Sequence, residues 1–277
     1  AREPQPKDPL QLICAESTRQ QIAYMQEDDD IRYTIIGQIV LRNHGPGFTT
    51  DHVARAWLKN LPLQWVCSAE ATCCRNLAWR YAVHCGEWPK ITIDWDWVAA
   101  YQNPYREWIG AQIRADSWGY ACPGNPELAA EFAWRDARMS HVKNGIYGEM
   151  FVAAMIAAAF GTGDPLEIIE AGLAQIPTTS RLYADIRNVI EICAKYGNDP
   201  ERFEPALAEV NAGLIHYGTV HTNSNAGIVA AALLLGRGDF EKTSTIAVMA
   251  GLDTDCNGAT VGSIVGASLG AQRLPRK

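Results

Sequence analysis

Two acidic clusters hold most of the chemical potential of this chain: Glu27-Asp28-Asp29-Asp30 near its start and Asp253-Thr254-Asp255 near its end. Carboxylates packed this closely repel one another. Such a cluster survives on a solvated surface, at a helix N-terminus or around a cation. Asp253 and Asp255, two residues apart on a loop, can both turn toward one ion. Hard divalent cations such as Mg²⁺ and Mn²⁺ take oxygen ligands of this kind. If the fold joins the clusters, they form a carboxylate-lined metal centre. The plainer reading of each is a helix start with a cap and solvated acids.

Three further groups of residues could do chemistry. Ser140-His141-Val142-Lys143-Asn144-Gly145 joins two expected helices, where polar atoms at a helix junction can meet phosphate or ribose. The plainer alternative is a hydrogen-bonded core or cap histidine. Asp116-Ser117-Trp118-Gly119-Tyr120 sets a carboxylate beside two aromatics and a glycine. It reads either as packing around a turn or as a platform on which a base stacks. Cys67, Cys73, Cys74, His84 and Cys85 lie close together, but without the tight paired spacing of zinc sites. Buried thiols on a helix explain them more simply.

The elements that must position these residues are helical. Residues 31–41 form an amphipathic helix with Ile31, Ile35, Ile39 and Val40 on one stripe, and the acids before it suit its N-terminus. Gly45-Pro46-Gly47 breaks the chain, Thr50 or Asp51 caps a second helix to about Asn60, and a third covers 68–84. Residues 85–126 carry Trp88, Trp95, Trp97, Trp108 and Trp118 among prolines and glycines, an irregular insertion between short helices. Helical pattern returns at 126–139, 147–160, 165–174, 180–196, 200–212 and 226–235. A last helix, 257–270, places Gly258, Gly262, Gly266 and Gly270 at i, i+4 spacing. Each glycine costs about 1 kcal/mol of helix propensity relative to alanine. The spacing therefore predicts a helix at the centre of a bundle, its glycine face pressed against a neighbour.

The 277 residues suffice for a large core, and the 48% hydrophobic content excludes a disordered chain. The net charge of −7 opposes an extended nucleic-acid surface. The longest apolar runs, 151–160 and 226–235, fall far short of a membrane span, and no signal peptide is visible. Eight cysteines without a disulfide scaffold read as reduced thiols of a cytoplasmic protein. The chain opens at Ala1 rather than Met, which is read as a processed or truncated form.

Taken in order, these pieces resemble the ADP-ribosylglycohydrolase family, whose members remove ADP-ribose from arginine or serine. The resemblance runs from about residue 24 to residue 270. The family's front motif is an acidic pair flanked by threonines, where this chain has Glu27-Asp28-Asp29-Asp30. Its rear motif is Gly-Asp-Thr-Asp-Thr before a small-residue helix. Here Gly251-Leu252-Asp253-Thr254-Asp255-Cys256 precedes Asn257-Gly258-Ala259. The resemblance implies a single all-α domain and a centre of two Mg²⁺ or Mn²⁺ ions. It implies Asp28, Asp29, Asp253 and Asp255 as their carboxylates. Glu27, in a flanking threonine's place, is a longer-armed ligand and the first residue to consider for acid–base catalysis. Cys256 replaces a threonine that ligates in relatives, and a thiol is a poor partner for Mg²⁺.

By the same resemblance, Asp116, Trp118, Gly119 and Tyr120 fall where relatives contact ribose and diphosphate, with Trp118 or Tyr120 stacking on the nucleotide. Ser140-His141 resembles the family's middle segment, which adds His141, Asn144 and Gly145 to the substrate contacts. The family's catalytic glutamate lies on a glycine-rich segment upstream of the acidic pair. No counterpart is present, since Glu16 is too near the cluster and in another context. The chain is therefore expected to lack the family's N-terminal segment. The expected function is metal-dependent hydrolysis of N- or O-glycosidic bonds to ADP-ribose. The alternative is an ADP-ribose-binding protein without catalysis. The partner is ADP-ribose or an ADP-ribosylated substrate, with no nucleic acid and no membrane. A purely structural helical protein requires both clusters to be mere caps.

Overall fold

Capping residues in the sequence become helix starts in the computed structural model, which describes residues 21–24, 27–81 and 92–275. Asp28 caps α1 (Asp29–His44), its carboxylate accepting from the Ile31 amide at 3.0 Å. On α2 (Thr50–Asn60) the cap is Thr49 rather than the expected Thr50 or Asp51, which lie inside the first turn, and Thr49 forms a capping box with His52. Then come α3 (Ser68–Tyr81), α4 (Trp95–Ala100), a 3-10 segment (Ile109–Arg114) and α5 (Asp116–Tyr120). Asn125 caps and Pro126 opens α6 (Pro126–Ala137). The remaining helices are α7 (Asn144–Ala159), α8 (Pro165–Leu173), α9 (Arg181–Lys195), α10 (Phe203–Leu214), α11 (Thr222–Gly236), α12 (Phe240–Met249) and α13 (Thr254–Leu269). The fold is all-α. Among the described residues no strand occurs, only an isolated bridge between Trp108 and His221, and no helix is long and apolar enough to cross a membrane.

The hub consists of α7 and α11. Every residue of α11 is buried, and so is every residue of α7 from Phe151 onward. Neither helix has a polar face there, and a helix apolar all round must be surrounded by protein. The pattern at 226–235 therefore grows into a longer helix, whose first turn buries Thr222, Asn223, Ser224 and Asn225. Helix α12, unmarked in the sequence pattern, lies between α11 and α13, capped by Asp239 through the Lys242 amide at 2.9 Å. The segment 82–91, with the expected end of α3, His84, Cys85 and Trp88, falls outside the described residues, as do Cys14 and Glu16. The described cysteines are free thiols, with Cys73 and Cys74 buried on α3.

The expected role of the last helix is corrected. Helix α13 turns Cys256, Asn257, Thr260, Val261, Ile264 and Val265 inward. Its glycines lie on the half-exposed side. A Cβ added at Gly262 or Gly266 meets nothing within 4 Å, and at Gly258 the nearest atom is Val248 Cγ2 at 3.4 Å. The i, i+4 pattern recorded small residues on one side, while the β-branched residues of the opposite side do the packing. Close approach occurs instead where α5 crosses α7: a Cβ on Gly119 would lie 2.5 Å from Ile156 Cβ and 2.9 Å from the Ala153 carbonyl oxygen. Gly119→Ala should cost about 1–3 kcal/mol by overpacking. Gly262→Ala should be neutral or stabilise by up to about 1 kcal/mol through helix propensity. Denaturant titration of both variants checks the pair, and equal midpoints would contradict this account of the packing.

Candidate metal centre

Helices α1 and α13 begin side by side, so the two acidic clusters face each other. The Cys256 thiol on α13 donates to Asp30 Oδ2 at 3.5 Å, across 226 positions of sequence. One donor atom each from Asp30, Asp255 and Cys256 lies within 4.8 Å of the others. Asp29 adds its charge, close enough to feel Asp255, and Asp253 feels both Asp255 and Asp29. Both helix N-termini point their partial positive charge at this cluster, which offsets part of the repulsion.

Buried asparagines hold the second helix in place. Asn225, in the first turn of α11, accepts from the Asp253 amide at 3.2 Å and from Asn257 Nδ2 at 2.8 Å. Its own Nδ2 donates to the Thr219 and His221 carbonyls. Asp253 makes no side-chain cap to its helix, and its carboxylate meets Cys256 and Asp255 instead. Neither asparagine was among the expected site residues. The available signal was their polarity inside an otherwise apolar helical run, since buried amides need partners.

The electrostatics are those of acids crowded out of water. Burial, then Asp29 and Asp28, push the Asp30 carboxyl up to about 8. Asp29 and Asp253 are also raised, first by burial. Burial and the neighbouring carboxylates drive the Cys256 thiol far up. A divalent cation among these donors would reverse each of these effects, so the donor set fits one. The same crowding makes stability depend on pH. An unfolded aspartate titrates near 3.9. Asp30 in the fold holds its proton to about 8. Its contribution to stability is complete below the unfolded value and is lost as pH rises through the folded one. The metal-free protein should therefore lose stability between about pH 4 and 8, and Glu70, raised to about 7, adds in the same direction. Urea unfolding in chelator at stepped pH measures this. Added Mn²⁺ should flatten the loss, and a pH-independent midpoint in chelator would refute the assignment.

The structure sorts the expected site residues unevenly. Asp30, part of the front cluster but outside the expected ligand set, is the front residue that reaches the centre, at 6% exposure. Asp28 is occupied by the α1 cap. Glu27 is exposed and lies 3.5 Å from the Arg32 guanidinium, so it is not placed among the donors. Asp116 meets the hydroxyls of Thr34 on α1 and Ser263 on α13, and burial raises it to about 6. It sits close enough to Asp30 to raise that group too. Tyr120 is 41% exposed, and its hydroxyl donates to Ser263 Oγ at 2.8 Å.

The others belong to the core. Trp118 is 2% exposed, stacks on Phe48 at 4.8 Å and donates Nε1 to Asp136, so it offers no face to a nucleotide. Gly119 is the α5–α7 contact. His141 is fully buried with Nδ1 2.9 Å from Ser140 Oγ. Gly145 admits the Arg106 carbonyl, and Asn144 links Glu107 to the Leu182 amide. Beneath the centre, Arg114 forks between Glu70 Oε1 at 2.7 Å and Asp136 Oδ2 at 2.6 Å, with Glu149 Oε2 at 3.7 Å. The guanidinium lies 4.8 Å from the Trp57 ring and 5.7 Å from that of Tyr33, one turn along α1 from Asp29 and Asp30. This buried network ties α3, α6 and α7 to the helix that supplies the front acids.

An all-α fold whose helix starts gather aspartates at a single centre defines a helical protein with a candidate divalent-cation site. The chain belongs to the ADP-ribosylglycohydrolase family, whose model matches residues 5–277. No curated protein matches it.

Proposed function

We propose that this chain is a divalent-metal-dependent hydrolase of the glycosidic bond joining ADP-ribose to a nitrogen or oxygen of a protein or small molecule. The observation that carries this reading is the meeting of Asp29, Asp30, Asp253, Asp255 and Cys256 at two adjoining helix starts in a chain of this family. Asp30 and Asp255 would hold the metal, with Asp29 and Asp253 beside them. When bound, Mg²⁺ or Mn²⁺ supplies Lewis acidity for a water and for sugar hydroxyls. The chain's own part is positioning. Asp255 stands exposed at the mouth, where substrate arrives, and Asp30 stands buried behind it. Asp116 can hold or accept a proton near neutral pH, since its carboxyl titrates at about 6. Tyr120 presents an exposed ring next to the same helices.

The test is release of ADP-ribose from ADP-ribosylated arginine and serine peptides, with chelator and with Mg²⁺ or Mn²⁺ restored. Metal-dependent release supports the proposal. Metal-dependent binding of ADP-ribose without release would leave a binding protein that lacks catalysis. Absence of both would end the functional reading of the acidic clusters.

A further inference from the structure

We propose that Cys256 is itself a metal ligand, and that the centre is a mixed carboxylate–thiolate site that prefers borderline ions such as Zn²⁺ and Co²⁺ to Mg²⁺. This inference rests on the reading that the acidic centre binds a divalent cation.

The thiol is placed as a ligand rather than as packing. Cys256 is 5% exposed, in the first turn of α13, one position beyond Asp255. Buried cysteines usually behave as small hydrophobes. This one has Asp30 on one side and Asp253 on another, a carboxylate from each cluster. A thiol has one weak proton to donate and cannot satisfy both. Among the described residues Asp30, though buried, has no stronger side-chain donor than this thiol. A cation satisfies all three at once.

The spacing agrees. Zinc binds sulfur at about 2.3 Å and carboxylate oxygen at about 2.0 Å, and a tetrahedral angle of about 109° between them sets sulfur and oxygen about 3.5 Å apart. The observed Sγ to Oδ2 separation is 3.5 Å. The third donor, Asp255, is exposed and keeps the site open to water or substrate. When the metal–sulfur bond forms, the thiol proton leaves to solvent. Thiolate is a soft ligand, so the gain falls on Zn²⁺ and Co²⁺ and not on Mg²⁺, which demands oxygen donors.

Co²⁺ added to the metal-free protein should give a thiolate-to-cobalt charge-transfer absorption that Cys256→Ser lacks. Calorimetric titration should show that Cys256→Ser lowers Zn²⁺ affinity on the order of 10- to 100-fold, the scale on which metal sites respond to lost support. Mg²⁺ affinity should hold or rise by up to about 3-fold, because the substitution exchanges a sulfur that Mg²⁺ does not favour for an oxygen donor. Cys256→Thr provides a second variant, and thermal unfolding in chelator checks that both fold like the parent. Metal binding without a charge-transfer band, and with equal Zn²⁺ affinity in parent and variants, overturns the inference and leaves the proposed function standing. Failure of the parent to bind any of the three ions overturns both.

Discussion

Asp255→Ala should lower metal-dependent ADP-ribosyl hydrolysis on the order of 10³-fold or more. The acid stands exposed at the mouth of the centre, within 4.8 Å of donor atoms of Asp30 and Cys256. On the proposed function, removing it takes away the exposed member of the donor group. Metal-supplied charge stabilisation amounts to several kcal/mol. At about 1.36 kcal/mol per factor of ten, losing some 4 kcal/mol is roughly 10³-fold in rate. Calorimetry should show that metal-dependent ADP-ribose binding is lost with it. Asp30→Asn is the more telling companion, because Asp30 lies outside the ligand set that the family resemblance implies. The neutral amide keeps its size and removes its charge, so activity should fall to a similar degree while metal-free stability at pH 8 rises. That rise follows from the sign of the Asp30 shift. Full activity of Asp30→Asn would show that the buried acid is structural. Full activity of Asp255→Ala would remove the metal centre from the reaction.

Arg114→Met should destabilise the protein by about 3–5 kcal/mol, the usual consequence of leaving buried carboxylates without their cation. One guanidinium serves Glu70, Asp136 and Glu149, all of which are buried. Three ionised carboxylates would leave net negative charge inside the core. Among the described residues neither oxygen of Glu149 has a hydrogen-bond partner of normal geometry, and Asp136 Oδ1 likewise lacks one. Burial, then Asp136, push the Glu149 carboxyl well up. A protonated Glu149 donating to Asp136 resolves both deficits. Glu149→Gln, which keeps a donor without the charge, should therefore lie within about 1 kcal/mol of the parent. Glu149→Ala should cost more, through an empty space beside α6. Equilibrium unfolding at pH 7 reads all three. An Arg114→Met variant as stable as the parent would show that the network protonates fully and needs no cation. Because Tyr33 packs near this guanidinium, Arg114→Met should also weaken metal binding by shifting the start of α1.

Local signals account for much of the fold. The helix starts at α1, α2 and α6 are marked by caps and prolines, since those signals act within four residues. The apolar runs of α7 and α11 mark their own burial, because a helix without a polar face has nowhere else to go. The middle motif Ser140-His141 and the separate segment Trp118-Gly119 lie in the core, one of the two readings the sequence left open for each. Ser140-His141 and Trp118-Gly119 combine polar and aromatic types, which core networks and ligand sites use alike. Only burial separates them, and burial is a property of the neighbours. The glycine face of α13 misled because i, i+4 spacing tells which residues share a side and not which side meets protein.

Sequence by itself determined the all-α fold, most of the helix boundaries, the family and the two acidic clusters, because each depends on residue types at short spacing. Tertiary structure decided which acids meet. Asp28, Asp29 and Asp30 are equivalent as letters. The phase of α1 assigns the first to its own cap and turns the third inward to Cys256. That phase is set from outside the cluster, by Tyr33 and Ile36 packing into the core and by Arg114 beneath Tyr33. The position of α13 is set by Asn225 from another helix. A centre assembled across 226 positions takes its geometry from contacts that no local pattern contains.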